Sequence, residues 1–169
     1  MKRNHVSAAL IAIVLLVGVS VAPAHADQYL GFGVLNKDGA SYNYLYGQLD
    51  LTPTLALGIM FSTDNLLEFS LWQGYMQGWY GEYESATSGA KSQLIEVGVW
   101  RAIPLASTAN VVGWIGAQSV LGDPGIGVKA SAEVSFSLTE SFALHVGADT
   151  TLATKENASS TWFGAGYFF

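Results

Sequence analysis

Residues 125–152 read GIGVKASAEVSFSLTESFALHVGADTTL, and taken at every second position they separate into two faces. Ile126, Val128, Ala130, Ala132, Val134, Phe136 and Leu138 form one face; Gly127, Lys129, Ser131, Glu133, Ser135 and Ser137 form the other. After Thr139-Glu140-Ser141 the alternation resumes, with Phe142, Leu144, Val146, Ala148, Thr150 and Leu152 against Ala143, His145, Gly147, Asp149 and Thr151. Side chains alternate across a strand with period two, so the stretch is a β-hairpin with one apolar and one polar face. Keeping both apolar runs together requires a three-residue turn. That turn sets Leu138 opposite Phe142, Ser135 opposite His145 and Ser131 opposite Asp149. Lys129 then lies diagonal to Asp149, and Glu133 diagonal to both His145 and Asp149, within about 7–8 Å between backbones. The spacing predicts one internal network of Lys129, Glu133, His145 and Asp149.

The composition decides which face points inward. Charged residues are 12% of the 169-residue chain, against about 25% in soluble domains. Of the 7 Lys and Arg, Lys2 and Arg3 fall in an N-terminal segment that reads as a secretory signal peptide. Behind them Ala8 to Ala22 is an unbroken apolar or small-residue run, and Ala24-His25-Ala26 fits a small-x-small cleavage site. Residues 1–26 are therefore expected to be removed, leaving 27–169 as one domain. Its 13 acidic residues then far outnumber the basic ones, and no basic patch exists to hold nucleic acid. Cysteine is absent, so packing and backbone pairing must hold the fold. A chain so poor in lysine cannot easily dress a soluble surface. The apolar faces are expected to point outward into lipid, in an antiparallel up-and-down transmembrane β-barrel.

The rest of the chain fits that reading. Tyr29 to Leu35, Tyr42 to Leu51, Gln93 to Arg101, Asn110 to Gln118 and Thr161 to Phe169 read as strands. Thr52-Pro53-Thr54, Ile103 to Thr108 and Thr139 to Ser141 are short turns. They alternate with the wetter segments Asn36 to Ser41, Glu84 to Ser92, Gly122 to Gly125 and Thr154 to Ser160. Such alternation of short turns and longer external loops is what a barrel requires, and it places both termini on the short-turn side. Between Thr54 and Glu84 parity demands an odd number of strands. One strand gives eight in all, three give ten. The spacing favours eight, with 54–65 in a longer turn or strand extension; the turn-like Ser62-Thr63-Asp64-Asn65 carries the alternative of ten.

With the apolar faces outward, Asp50, Glu68 and Glu96 join Lys129, Glu133, His145 and Asp149 in the lumen. Trp72, Trp79, Tyr80, Tyr83, Trp100, Trp114, Trp162, Tyr167 and Phe169 suit interfacial aromatic girdles. Gly31, Gly33, Gly164 and Gly166 sit in the strands that close the barrel, where they ease curvature beside bulky neighbours. His145, alone among the histidines, lies beyond the leader, and no ligand spacing accompanies it, so neither a metal site nor a cofactor is expected. A soluble lipocalin-like carrier, with the apolar faces inward around an apolar ligand, is the alternative that keeps the same strands.

The leader, the alternating strands and the final Trp162-Phe163-Gly164-Ala165-Gly166-Tyr167-Phe168-Phe169 resemble small bacterial outer-membrane β-barrel proteins. The resemblance implies a bacterial outer-membrane location, a monomer surrounded by phospholipid and lipopolysaccharide, and reading of Phe169, Tyr167 and Phe163 by the barrel assembly machinery. Within that class the chain is similar in size to the outer-membrane lipid A deacylases. Their His-x-Ser pair has no counterpart at Ala148-Asp149-Thr150-Thr151, and His145 is followed by Val146 and Gly147. The resemblance thus implies a structural or narrow-channel role without catalysis; a deacylase-like enzyme using His145 is the alternative.

Overall fold

A computed structural model describes residues 28–37, 39–86, 93–122, 125–153 and 157–169. The leader reading at 1–26 lies outside the described residues. Ten antiparallel strands form a closed meander: β1 Gln28–Lys37, β2 Ala40–Thr52, β3 Leu55–Ser62, β4 Leu66–Gly74, β5 Gln77–Ala86, β6 Gln93–Ala106, β7 Ala109–Val120, β8 Ile126–Ser137, β9 Phe142–Ala153 and β10 Ala158–Phe168. Each strand pairs with its sequence neighbours, and β1 with β10 closes the barrel. Closure leaves no free sheet edge.

The expectation of eight strands is corrected to ten. Residues 54–86 hold three strands because two tight turns use almost no chain. At the first, Asn65 takes a left-handed φ of 65° and its N–H bonds to the Ser62 carbonyl, while Asp64 accepts from the Ser62 hydroxyl. Asparagine tolerates that conformation better than most residues. At the second, Gly74 (φ 127°) and Met76 (φ 62°) reverse the chain between β4 and β5. The Ile103 to Thr108 turn is also shorter than read. Strand β6 continues to Ala106 through an irregularity between Pro104 and Ala106, as a proline that cannot donate to the ladder favours.

The hairpin registers as expected, with Ser131 paired to Asp149 and Ser135 to His145. The Leu138 N–H bonds the Phe142 carbonyl. Following paired residues once round the barrel returns to β1 about 12 residues from the start. For ten strands that stagger sets a tilt of roughly 40° and a backbone radius of about 10 Å, roughly 2 Å wider than eight strands at the same tilt. A strand of 12 residues, such as β8, then rises about 30 Å along the axis.

The faces sort by one rule in every strand. Phe32, Val97, Val99, Ile115, Val128, Val146 and Phe163 are among the large apolar side chains standing on the outside. Arg101, near the end that carries the termini, is the only charged residue in the outward series of β1 to β10. This overturns the lipocalin-like alternative, whose apolar residues would line the interior. The girdle expectation is corrected in part. Trp79, Tyr83 and Tyr167 share the outer register, and Phe169 is exposed beyond β10, but Trp72, Tyr80, Trp100, Trp114 and Trp162 point into the lumen.

Candidate functional site: the lumen

Inside the barrel, an ionic layer and an aromatic layer follow from the register. The half nearest the β1–β2, β3–β4, β5–β6, β7–β8 and β9–β10 connections, here the loop side, is ionic. Glu82 on β5 is paired directly with Glu96 on β6. Lys129 reaches across from β8 to bind both, at 3.4 Å from Glu82 Oε1 and 3.2 Å from Glu96 Oε2. The side chains of Glu82 and Glu96 are 6% and 0% exposed. Glu96 Oε1 also accepts from the Tyr80 hydroxyl. Two carboxylates facing one ammonium share a desolvation cost that neither would bear alone. Glu68 pairs across β4–β5 with Glu84, and Lys37 lies 3.8 Å from Glu84.

The expectation of one network joining Lys129, Glu133, His145 and Asp149 is corrected. Diagonal neighbours on the hairpin are close in backbone terms, yet each side chain finds a better partner: Lys129 across the bore, Asp149 on the adjacent β10, and Glu133 on its own strand and on β10. Lys129 goes to Glu82 and Glu96. Asp149 Oδ2 accepts from Ser160 at 2.7 Å. Glu133 accepts from the Ser135 hydroxyl at 3.1 Å and from the Trp162 indole at 2.7 Å. Asp50, toward the opposite end, accepts from Gln48 at 3.0 Å, and Gln48 in turn accepts from Tyr46 at 3.1 Å.

His145 sits between two tyrosines, with Tyr29 Oη 2.8 Å from Nδ1 and Tyr44 Oη 3.1 Å from Nε2. Whichever nitrogen carries the proton donates to its tyrosine, and the other accepts. Both positions a catalytic base would use are thereby occupied. Ser135, the residue paired with His145, gives its hydroxyl to Glu133. A nucleophile–base pair needs that hydroxyl on the imidazole. The glycines of β1 and β10 make this arrangement possible. A Cβ on Gly164 would strike both His145 Nε2 and the Tyr44 hydroxyl, and one on Gly166 would strike the Tyr29 ring. These glycines therefore admit rings flat against the wall at the closing seam, a more specific use than eased curvature.

Beneath the ionic layer, tryptophans cross the bore. Trp72 on β4 meets Trp114 on β7 edge-on at 5.9 Å, and Trp114 meets Trp162 on β10 at 5.9 Å. Neither contact joins neighbouring strands. Tyr80 stacks on Trp72 at 5.0 Å, and Trp100 lies edge-on to it at 6.1 Å. Such offset and edge-on geometries are favourable beyond area alone, so the row narrows the waist. A cavity of about 750 Å³ remains, touched by Lys37 and Glu84 on the loop side and by Pro53 and Tyr75 on the other. Among the described residues no cluster of three or more His, Asp or Glu has metal-holding geometry.

Glu82, Tyr80, Tyr29 and Tyr44 are the site residues that sequence reasoning missed. Tyr29 and Tyr44 alternate with Leu30 and Leu45, and Tyr80 and Glu82 with Trp79, Gly81 and Tyr83, which was a usable signal for facing inward. Their partners lie across the barrel, which strand periodicity does not specify. Phe163, Tyr167 and Phe169 stand exposed, with Tyr167 and Phe169 stacked at 6.0 Å and Phe169 paired to Gln28.

No family model matches the chain, and no curated protein matches it in sequence. Among solved structures, the N-terminal β-barrel domain of Pseudomonas aeruginosa OprF is similar at 10% identity, covering 85% of this chain and 97% of that one, with a TM-score of 0.48. The Yersinia pestis outer membrane protein Ail is similar at 11% identity over 86% and 100% of the two chains, TM-score 0.48. The KdgM porin is similar at 8% identity over 83% and 99%, TM-score 0.47. The closed barrel itself rests on this chain's own strand pairing.

Proposed function

We propose that the chain is a monomeric transmembrane β-barrel of the bacterial outer membrane, with a structural role and a narrow, porin-like lumen that admits water and small ions. One observation carries this reading: the charge is inside and the apolar surface outside. Lys129, Glu82, Glu96, Glu133 and Asp149 face the lumen, whereas Val97, Ile115, Val128 and Phe163 face away. In water that arrangement would expose a continuous apolar band and bury ions for no gain. In a bilayer it satisfies both surfaces. Lipopolysaccharide and phospholipid would then be the surrounding solvent. Phe169, Tyr167 and Phe163 would be the signal that the assembly machinery reads. The occupied nitrogens of His145 support a role without catalysis.

Fractionation tests the location. The protein should be recovered with the outer membrane and migrate differently on a gel before and after heating. Recovery as a soluble periplasmic protein with no heat-dependent shift would overturn the reading. Conductance in a planar bilayer tests the narrow path. Lipid A analysed by mass spectrometry with and without the protein should show an unchanged acyl pattern; a lost or gained chain would restore the enzyme alternative.

A further inference from the structure

The outer wall is apolar to different heights on its two sides. On β8 every outward residue from Ile126 to Leu138 is apolar, a span of about 30 Å along the axis. On β10 the apolar outward run is Phe163, Ala165, Tyr167 and Phe169, and on β2 it is Leu45, Gly47, Leu49 and Leu51, each only about 15 Å. These runs start level at the turn end. Each step from β1 through β2 and onward climbs about 3 Å toward the loop side, which puts Leu51, Leu138 and Phe169 within about 2 Å of one height. The shortfall therefore lies on the loop side. There Asn36 and Thr161, paired across the β1–β10 seam, and Asn43, paired with Val34, stand exposed on the outer wall. At the height of Asn43 and Thr161, β8 presents Val128 and Ala130.

A hydrocarbon layer is about 30 Å thick, which β8 matches and the seam does not. A flat bilayer would sink two amides and a hydroxyl into hydrocarbon on the seam side. Tilting the barrel to lift them out would instead sink the exposed Thr52 and Thr54 of the β2–β3 turn, because the turn ends are level. Local thinning of the bilayer relieves a short belt without burying either end.

We propose that the outer wall from β10 through β1 to β2 is a membrane-thinning face, against which the polar lipid headgroups of the loop-side leaflet descend about 10 Å lower than they stand at β8. Asn36, Asn43 and Thr161 receive them, their amides and hydroxyl offering donors and acceptors to headgroup oxygens and the water between. The proposal rests on the transmembrane reading above.

The test places single nitroxide-labelled cysteines on the full-length barrel refolded in dioleoylphosphatidylcholine vesicles, with depth read from relaxation by oxygen against a water-soluble nickel reagent. Labels at Asn43 and Thr161 should read about 10 Å nearer the phosphates than labels at Val128 and Ala130. Labels at Leu51 and Leu138 should read one depth. Equal depths at the four loop-side positions would overturn the proposal. So would a Leu51 label deeper than Leu138 by the same amount, which is the signature of a tilted barrel in a flat bilayer. Labels at Val97 and Ile115 separate the two readings: nickel access there sinks the transmembrane reading itself, whereas lipid there with equal loop-side depths sinks the thinning alone. An unlabelled variant gives the same answer if a labelled one fails to fold. Asn43→Leu with Thr161→Leu lengthens the short belt, so its urea midpoint should rise above the wild type in dioleoyl vesicles and not in the thinner dilauroyl ones. No gain in the thicker lipid would overturn the proposal.

Discussion

Lys129 bonds to two carboxylates that the barrel almost completely buries, so removing it should be among the most damaging single changes. In Lys129→Met the side-chain volume is nearly kept, but Glu82 and Glu96, at 6% and 0% exposed, lose the ammonium that lies 3.4 and 3.2 Å away. Breaking a buried pair by removing one partner costs about 3–5 kcal/mol. The lower end, about 3 kcal/mol, applies here because Lys129 itself retains 15% exposure and cavity water can re-solvate the carboxylates. That is roughly a hundredfold in the folding equilibrium. The assay is urea-dependent unfolding of the barrel refolded in lipid, followed by gel mobility and tryptophan fluorescence. Neutralising the partners as well, in Lys129→Met with Glu82→Gln and Glu96→Gln, should recover most of the loss, since removing all the charges together is close to neutral. If Lys129→Met unfolds within about 0.5 kcal/mol of the wild type, the ion pairs are not holding the lumen and the reasoning fails.

Three further outcomes follow from the geometry. Ile115→Lys places a charge on the outer face near mid-height, where Ile115 is 51% exposed and paired with Val99; it should cost about 2–4 kcal/mol in urea unfolding from lipid vesicles, and an unchanged midpoint would argue against lipid on that face. Gly164→Val should weaken the β1–β10 seam by about 1–3 kcal/mol, because its Cβ meets His145 and Tyr44. The reading is a lower temperature for the heat-dependent gel shift, which a silent substitution would contradict. Trp162→Phe keeps a ring in the row but removes the indole N–H that binds Glu133 at 2.7 Å; a loss of about 1.5–3 kcal/mol is expected in the same urea assay, and none would place Glu133 elsewhere.

The two-residue periodicity made the strands and their faces legible, and it extended as far as register. Leu138 had to face Phe142 if both apolar runs were to share a side, and Ser131 met Asp149 as a result. The strand count was harder because it hung on turns that use almost no chain. Asn65 lies in the turn-like Ser62 to Asn65 stretch that carried the alternative of ten, but Met76 adopts a left-handed conformation that composition does not advertise. The lumen partners were least legible. Lys129 and Glu133 were identifiable as inward-facing, yet their partners Glu82 and Trp162 come from strands far away in sequence. Which side chains meet across a bore depends on the number of strands and the stagger together, and an error in the first displaces every cross-barrel contact. The tryptophans illustrate the same limit. Interfacial girdles are a fair expectation for indoles, but Trp72, Trp114 and Trp162 occupy inward positions of their strands, and the alternation outweighs the residue type.

The central claim is that odd and even positions of each strand meet different solvents. Because the chain has no cysteine, single cysteines carrying a nitroxide label can be placed without altering the background. Val97, Val99 and Ile115 should be accessible to oxygen dissolved in the bilayer and shielded from a water-soluble nickel relaxant. Labels at Gln118 and Ser135 in the lumen should show the reverse. A period-two exchange between the two relaxants along β6 and β7 is the expected result. Uniform access of the nickel reagent to Val97, Val99 and Ile115 would contradict the account.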